Sequence, residues 1–272
     1  MDMTNYNVPR IKKYSATGNI LMVAEFVDNK KWEKFIKSET EKDESLDGII
    51  FIERDVDNKS TKWTYFNRDG SQVAFCGNGI RCIGKYLSEF YNELTGELNS
   101  KSIAKCEYEI NDKNIYFKSP KGIIVPNESQ NKKIYEIVRQ FEFLEVEHII
   151  LVVVGVPHLV LDCKCNVMEL DDCIIEYLSN AIHTATNPNF NINFINVVDT
   201  QNINIRTFER GVNRETGSCG SGCLASYYYL MNKTVKVNYK CKIHFKKDGF
   251  MELYFDNVDE SYHLGGQVKE IL

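Results

Sequence analysis

One short motif occurs twice in this chain: a cysteine set immediately before a glycine-rich turn. It reads "FCGNGIRC" at 75–82 and "SCGSGC" at 218–223. Cys76 and Cys219 lie about half of the 272 residues apart, and each motif opens a segment of helical character. That spacing constrains the chain to two similar halves, because self-similarity within a sequence means one supersecondary unit built more than once. Active sites often sit between such halves.

The segments around the motifs agree. Residues 18–26, 48–54 and 62–68 are rich in β-branched and aromatic side chains and predict strands. After Cys76, apolar residues at 80, 83, 87, 90 and 91 follow helical spacing. Strands are expected again near 103–111 and 114–118. The stretch 119–133, with Pro120, Gly122, Pro126 and a polar run, is the best linker candidate. Beyond it, strands are expected at 141–154, 159–163, 191–199 and 203–210, with a helix near 169–183. A second glycine-led helix, 222–233, precedes hairpin-like strands at 236–246, 249–256 and 261–272.

Composition excludes several classes. A net charge of -5 gives none of the basic footprint that nucleic-acid binding wants. The segment "HIILVVVGVPHLVL" is interrupted by Gly155, Pro157 and His158 and reads as buried strand, not as a membrane span. The first residues lack the apolar core of a signal peptide, so a soluble, cytoplasmic protein is expected. Nine cysteines are an odd number, which argues against a complete disulfide framework. None of the spacings (Cys76 to Cys82, Cys163 to Cys165, Cys219 to Cys223) is the C-x-x-C of structural zinc, so no metal is expected.

The twin turns carry a chemistry of their own. A thiol is a base only as thiolate, and a helix N-terminus favours negative charge on a cysteine placed there. The glycines Gly77 and Gly79, and Gly220 and Gly222, let backbone N–H groups approach an anion closely. Two facing turns would cradle a carboxylate and set one thiol on each side of the bound molecule. One thiolate could then remove an α-hydrogen while the opposite thiol delivers another.

The segments "FNRDGSQVAFCGNGIRC" (66–82) and "TFERGVNRETGSCGSG" (207–222) resemble the two signature segments of diaminopimelate epimerase, a family of cofactor-free two-cysteine epimerases. Shorter matches follow in the same order: "YSATGN" (14–19), "LDG" (46–48), "GVPHLV" (155–160) and "NINF" (191–194). The resemblance implies interconversion of LL- and meso-diaminopimelate, in lysine and cell-wall precursor synthesis, with Cys76 and Cys219 as the bases. It implies an α-carboxylate held by Gly77, Asn78, Gly220 and Ser221, and substrate contacts from Asn19, Asn67 and Asn191. His158 matches a histidine that assists a catalytic thiol. Glu209 and Arg210 match a pair beside the second cysteine: Arg210 offers a planar fork for a distal carboxylate, and Glu209, implied as a catalytic as well as a binding residue, can polarise a thiol or accept from the distal ammonium. The implied fold is α+β, with two pseudo-symmetric lobes, each a strand-rich sheet or barrel wrapped around a central helix. The lobes are expected over 1–125 and 126–264, with 265–272 returning to the first. No cofactor, nucleic acid or membrane is implied; the partners are a small amino-acid substrate and a second copy in a homodimer.

The chain departs from the family pattern around substrate recognition. An acidic residue usual after Asn19 is replaced in "GNIL" by Ile20 and Leu21. The glycines that commonly precede "DG" give way to "EKDESLDG", and Val156 stands where many members carry Asn. The "ERGVNRETGSCG" loop is one residue longer, adding Arg214. A racemase of another amino acid, resembling the histidine racemase branch, is therefore the alternative. Two further readings are a non-catalytic binding homologue and a redox or metal-binding protein built on the cysteines.

Overall fold

A computed structural model of the chain describes residues 10–25, 32–73, 75–100, 105–119, 122–125, 128–186, 189–210, 213–233, 240–246 and 249–271. The chain divides into two compact units, Met1–Ile115 with Gln267–Leu272, and Tyr116–Gly266. The fold is α+β, with a closed eight-stranded barrel and, among the described residues, five α-helices.

The first unit runs β1 (Ile11–Ala16), β2 (Asn19–Glu25), α1 (Trp32–Lys42), β3 (Gly48–Asp55), β4 (Ser60–Asn67), β5 (Gln72–Val73), α2 (Gly77–Tyr91), β6 (Thr95–Asn99) and β7 (Cys106–Asn111). Strand β8 (Asn114–Ser119) leads into the second unit. There follow β9 (Ile123–Val125), α3 (Glu128–Val138), β10 (Val146–Val154), β11 (Val156–Cys163), α4 (Asp172–Thr186), β12 (Asn191–Val197), β13 (Asn202–Glu209) and β14 (Arg214–Thr216). The last elements are α5 (Gly220–Asn232), β15 (Lys240–Phe245), β16 (Phe250–Asp256) and β17 (Ser261–Ile271).

The two units repeat one wiring. In the first, β1 and β2 are antiparallel, β2 and β3 parallel across α1, β3 and β4 antiparallel, β4 and β6 parallel across α2, and β6 and β7 antiparallel. In the second, the same sequence of pairings joins β10, β11, β12, β13, β15 and β16, with α4 and α5 as the crossovers. Parallel neighbours need such crossovers, which is why each helix falls where it does. A two- or three-residue strand, β5 or β14, folds back on its neighbour just before each cysteine.

Local chemistry fixes the connections. Thr17 (φ 55°) and Gly18 (φ 83°) form the two-residue turn between β1 and β2, the left-handed pair that a tight hairpin requires. The run "GIIFI" in β3 is apolar at successive positions because helices cover both faces of the sheet there. Ile49 and Phe51 pack with Met22, Ala24 and Ile36 of α1, whereas Ile50 meets the first turn of α2 at Gly79. Trp32 stacks on Phe51 at 4.7 Å, a pairing that contributes about 0.5–1.5 kcal/mol beyond its buried area. In the second unit Leu159, Leu161, Ile192, Phe194 and Phe208 meet Ile175, Leu178 and Ile182 of α4.

Some expectations are corrected. Helix α1 is unforeseen; its surface is mostly polar, and it buries only Ile36 and Thr40. The supposed linker 119–133 contains β9, which pairs with β10, and the start of α3. Contacts divide the chain at 115/116. A 3-10 turn, Glu142–Leu144, replaces the front of the strand expected at 141–154. The expected strand ends at Phe26, 103–104, 236–239 and Leu272, and the linker's Pro120 and Pro126, lie outside the described residues.

Candidate active site

Cys76 and Cys219 occupy the same position in their two units: each is the N-cap of the helix that follows. Their backbones are extended, with φ/ψ of -143°/104° and -133°/109°, and the helices start at Gly77 and Gly220. An N-cap side chain faces the first-turn N–H groups, which have no partner inside the helix. At α2 the Gly79 N–H donates to the Cys76 sulfur at 3.3 Å. A Cβ on Gly79 would come 3.2 Å from Ile50 Cδ1 and 3.4 Å from that sulfur, so glycine is what allows the close approach. A thiolate at either cap is stabilised by the helix dipole, and at Cys76 by the Gly79 amide as well; the Cys219 side chain makes no cap hydrogen bond.

Four of the other thiols are chemically distinct. Burial pushes Cys82 up, and takes Cys106 and Cys241 to about 12. The neighbouring Cys165 thiol, together with burial, raises Cys163. None of these four would ionise near neutral pH.

Around the first cysteine, the expected contact residues are each anchored at one end of their amide. Asn78 accepts from Arg81 Nη2 at 2.6 Å, and Arg81, fully buried, also donates to Thr17 Oγ1 at 3.1 Å and Gln267 O at 3.3 Å. Asn19 donates to Asp47 Oδ2 at 2.9 Å, and the same oxygen accepts the Ile20 N–H at 2.8 Å. Asn67 donates to Ser71 Oγ at 3.0 Å across the turn that leads to β5. Leu21 is wholly buried core, so the "GNIL" departure serves packing on that side of Asn19.

The second cysteine stands beside a wholly buried histidine. Ser221 Oγ lies 3.5 Å from Cys219 Sγ and 3.0 Å from His158 Nε2. Burial pushes His158 down to about 3; Arg210 acts in the same direction and the Asn193 hydrogen bond opposes it, so the ring is neutral. Asn191 accepts the Arg210 N–H at 3.0 Å, and the Arg210 guanidinium donates to the Asn189 carbonyl at 2.9 Å and to its side-chain oxygen. Glu209 accepts from Thr216 of β14. That strand is braced by Arg206, 1% exposed, whose guanidinium meets both oxygens of Glu215 and Asp172 Oδ1.

The structure thus brings Cys219, Ser221 and His158 together, joins Asn191 to Arg210, and sets Gly77, Asn78 and Gly220 in first helical turns. Asp47, Arg81, Asn193, Thr207 and Arg206 were not foreseen. Arg81 was detectable as a charge inside an apolar helix, whereas nothing in "NINFINV", which carries three asparagines, singles out Asn193. Among the described residues, two carboxylate–histidine groups could hold a cation, Glu147/His148/Asp162 and Asp256/Asp259/His263. In each an ammonium already sits on a carboxylate: Lys233 is 2.6 Å from Asp162 and Lys118 2.6 Å from Asp259. Among the described residues no helix is long and apolar enough to cross a membrane.

Residues 11–136 match the family model described as diaminopimelate epimerase. A diaminopimelate epimerase of Thermotoga maritima is 35% identical over 227 residues, covering 81% of this chain and 84% of that protein. The chain belongs to the diaminopimelate epimerase family. The Campylobacter jejuni diaminopimelate epimerase is 30% identical over 265 residues, 94% of each chain, which brings both cysteine caps within one family alignment length. Solved structures share the fold at lower identity. A phenazine biosynthesis protein of the PhzF family from Enterococcus faecalis matches with TM-score 0.68 at 13% identity, covering 97% of both chains. A hydroxyproline epimerase from Agrobacterium vitis matches with TM-score 0.67 at 11% identity, covering 97% of this chain and 91% of that one.

Proposed function

We propose that this chain is a diaminopimelate epimerase that interconverts the LL and meso forms by two-base proton transfer, with no cofactor taking part. One observation carries the reading: the two units repeat one wiring, and in each a cysteine caps the helix at the corresponding place. Family membership supplies the substrate, since its named relatives are diaminopimelate epimerases.

The chemistry balances without an external reagent. The Cys76 or Cys219 thiolate takes the α-proton and becomes a thiol, while the opposite thiol donates to the other face and becomes a thiolate. Backbone amides of Gly77, Asn78, Gly220 and Ser221 hold the α-carboxylate and stabilise the carbanion-like charge that develops. Arg210 and Glu209 bind the distal amino-acid head, with Asn19, Asn67 and Asn191 completing recognition. His158 supports Cys219 through Ser221. The active protein is a homodimer, a point that light scattering in solution decides.

The decisive experiment follows α-proton exchange in deuterated water under reducing conditions, with LL-diaminopimelate, histidine, glutamate, proline and lysine tested separately. Deuterium in diaminopimelate alone, with meso product, is expected. Cys76→Ser and Cys219→Ser should each lower epimerisation at least about a thousandfold, in line with loss of a positioned acid–base group. Exchange in a different amino acid would reassign the substrate, and full activity in either variant would end the two-base reading.

A further inference from the structure

A line of buried polar groups reaches Cys219 from inside the second unit. Asn193 on β12 and Thr207 on β13 stand opposite each other in register, 0% and 3% exposed. The Thr207 hydroxyl donates to Asn193 Oδ1 at 3.0 Å, which turns the amide nitrogen toward His158, 3.1 Å from Nδ1. An amide nitrogen only donates, so Nδ1 must carry the lone pair. The ring is neutral, and its single proton therefore sits on Nε2. Nε2 lies 3.0 Å from Ser221 Oγ, and that oxygen lies 3.5 Å from the Cys219 sulfur. With one lone pair of Ser221 taken by the ring N–H, its own proton is free to point at the sulfur. Gly222 closes the assembly: a Cβ there would come 2.6 Å from Asn193 Oδ1 and 3.2 Å from Thr207 Oγ1.

We propose that Thr207 and Asn193 are positioning residues that hold His158 as its Nε2–H tautomer, so that Ser221 presents its hydroxyl as a donor to the Cys219 thiolate. The inference rests on the reading of Cys219 as one of the two bases and deepens it. A charge-assisted O–H···S bond favours the thiolate, adding to the partial positive charge at the start of α5. Of the charged groups nearby, Arg210 at the end of β13 disfavours a charged ring, and Glu209 on the same strand is engaged by Thr216. His158 is consequently the fixed end of a donor chain, and it takes no proton from the thiol. When Cys219 accepts the α-proton, its S–H turns toward Ser221 Oγ; the serine and the ring each keep their own proton throughout.

The test reads the two ends of the chain separately, by long-range proton–nitrogen correlation on histidine-labelled protein and by titrating the Cβ resonance of carbon-labelled cysteine. Wild-type protein should show His158 protonated at Nε2 and bare at Nδ1 between pH 6 and 8. Thr207→Val, equal in size but without the donor, should populate the Nδ1–H form and raise the Cys219 midpoint by about one pH unit, a tenfold loss of thiolate below it. The Cys76 midpoint should stay where it was, and Thr207→Ser should restore both readings. Ser221→Ala should raise the Cys219 midpoint while leaving the tautomer alone, and Ser221→Thr should not. An Nδ1–H ring in wild-type protein overturns the proposal, with no variant needed; so does a Thr207→Val protein in which neither reading moves. Absence of α-proton exchange in every amino acid would refute the epimerase reading but leave these spectra unchanged, so the two failures are distinguishable.

Discussion

Arg81 and Asn78, three residues apart on the first turns of α2, are joined by a 2.6 Å hydrogen bond inside the protein. The same guanidinium reaches the β1–β2 turn at Thr17 and the backbone of Gln267. Arg81 thereby fixes the amide that follows Cys76 and the turn that presents Asn19. An ammonium cannot span those three acceptors in one plane. Arg81→Lys should therefore keep the fold, at a cost of about 1–3 kcal/mol for unmade buried bonds, and lower kcat/KM roughly tenfold or more. Urea unfolding and steady-state kinetics measure the two effects separately.

The brace of β14 predicts an asymmetry between its two carboxylates. Arg206 is fully buried, Glu215 is 16% exposed at its side chain, and Asp172 is 62% exposed. Removing the guanidinium in Arg206→Leu leaves the Glu215 carboxylate without its donor, whereas the Leu170 carbonyl keeps Lys246 Nζ at 2.9 Å. That substitution should cost about 3–5 kcal/mol, as breaking a buried pair does. Asp172→Asn should cost at most about 1 kcal/mol, because solvent screens an exposed partner. Equal losses in urea denaturation would contradict the assignment.

Stability should depend on pH through His158. Its folded value of about 3 lies below the ordinary value of 6.5, so between those limits the unfolded chain binds the extra proton. Stability from this group is complete above pH 6.5 and declines as pH falls toward 3, by up to about 1.4 kcal/mol per pH unit. His183, lowered by burial, contributes in the same sense. In His158→Gln the slope of unfolding free energy between pH 4.5 and 6 should be shallower than in wild type. Parallel curves would remove His158 as the cause.

Cysteine labelling should separate the cap from the surface. Cys173 is exposed and Cys76 partly so, whereas Cys82, Cys106, Cys163, Cys223 and Cys241 are buried. Iodoacetamide at pH 8 should modify Cys76 and Cys173 in the folded protein and leave those five untouched. Saturating diaminopimelate should protect Cys76 and not Cys173, as peptide mass spectrometry would show; unprotected Cys76 would count against substrate binding at its helix cap.

The parts of the fold that were legible in the sequence are those with strong local chemistry. Cys76 and Cys219 announce their helices because glycine turns and helical apolar spacing coincide there, and β3 announces itself by its apolar run. Helix α1 is hidden because it lies on the surface and commits few side chains to the core. Helix α3 is hidden behind Pro126 and a polar sequence that reads equally well as linker. In the site, His158 and Ser221 come from elements far apart in sequence, and no spacing rule links them. Asn193 and Thr207 matter only because β12 and β13 pair in one register, which is a property of the folded sheet.

Strand β17 joins segments synthesised far apart in time. Its residues Val268 to Ile271 pair with Ala16 to Lys13 of β1, a strand made long before it. Until those late residues emerge, β1 has β2 on one edge and an open ladder on the other. The first unit, although made early, therefore completes its sheet only after the second has been translated. Folding of this chain should accordingly finish at the β1–β17 ladder, and a ribosome stalled before residue 267 should hold an amino-terminal unit that a protease can still open.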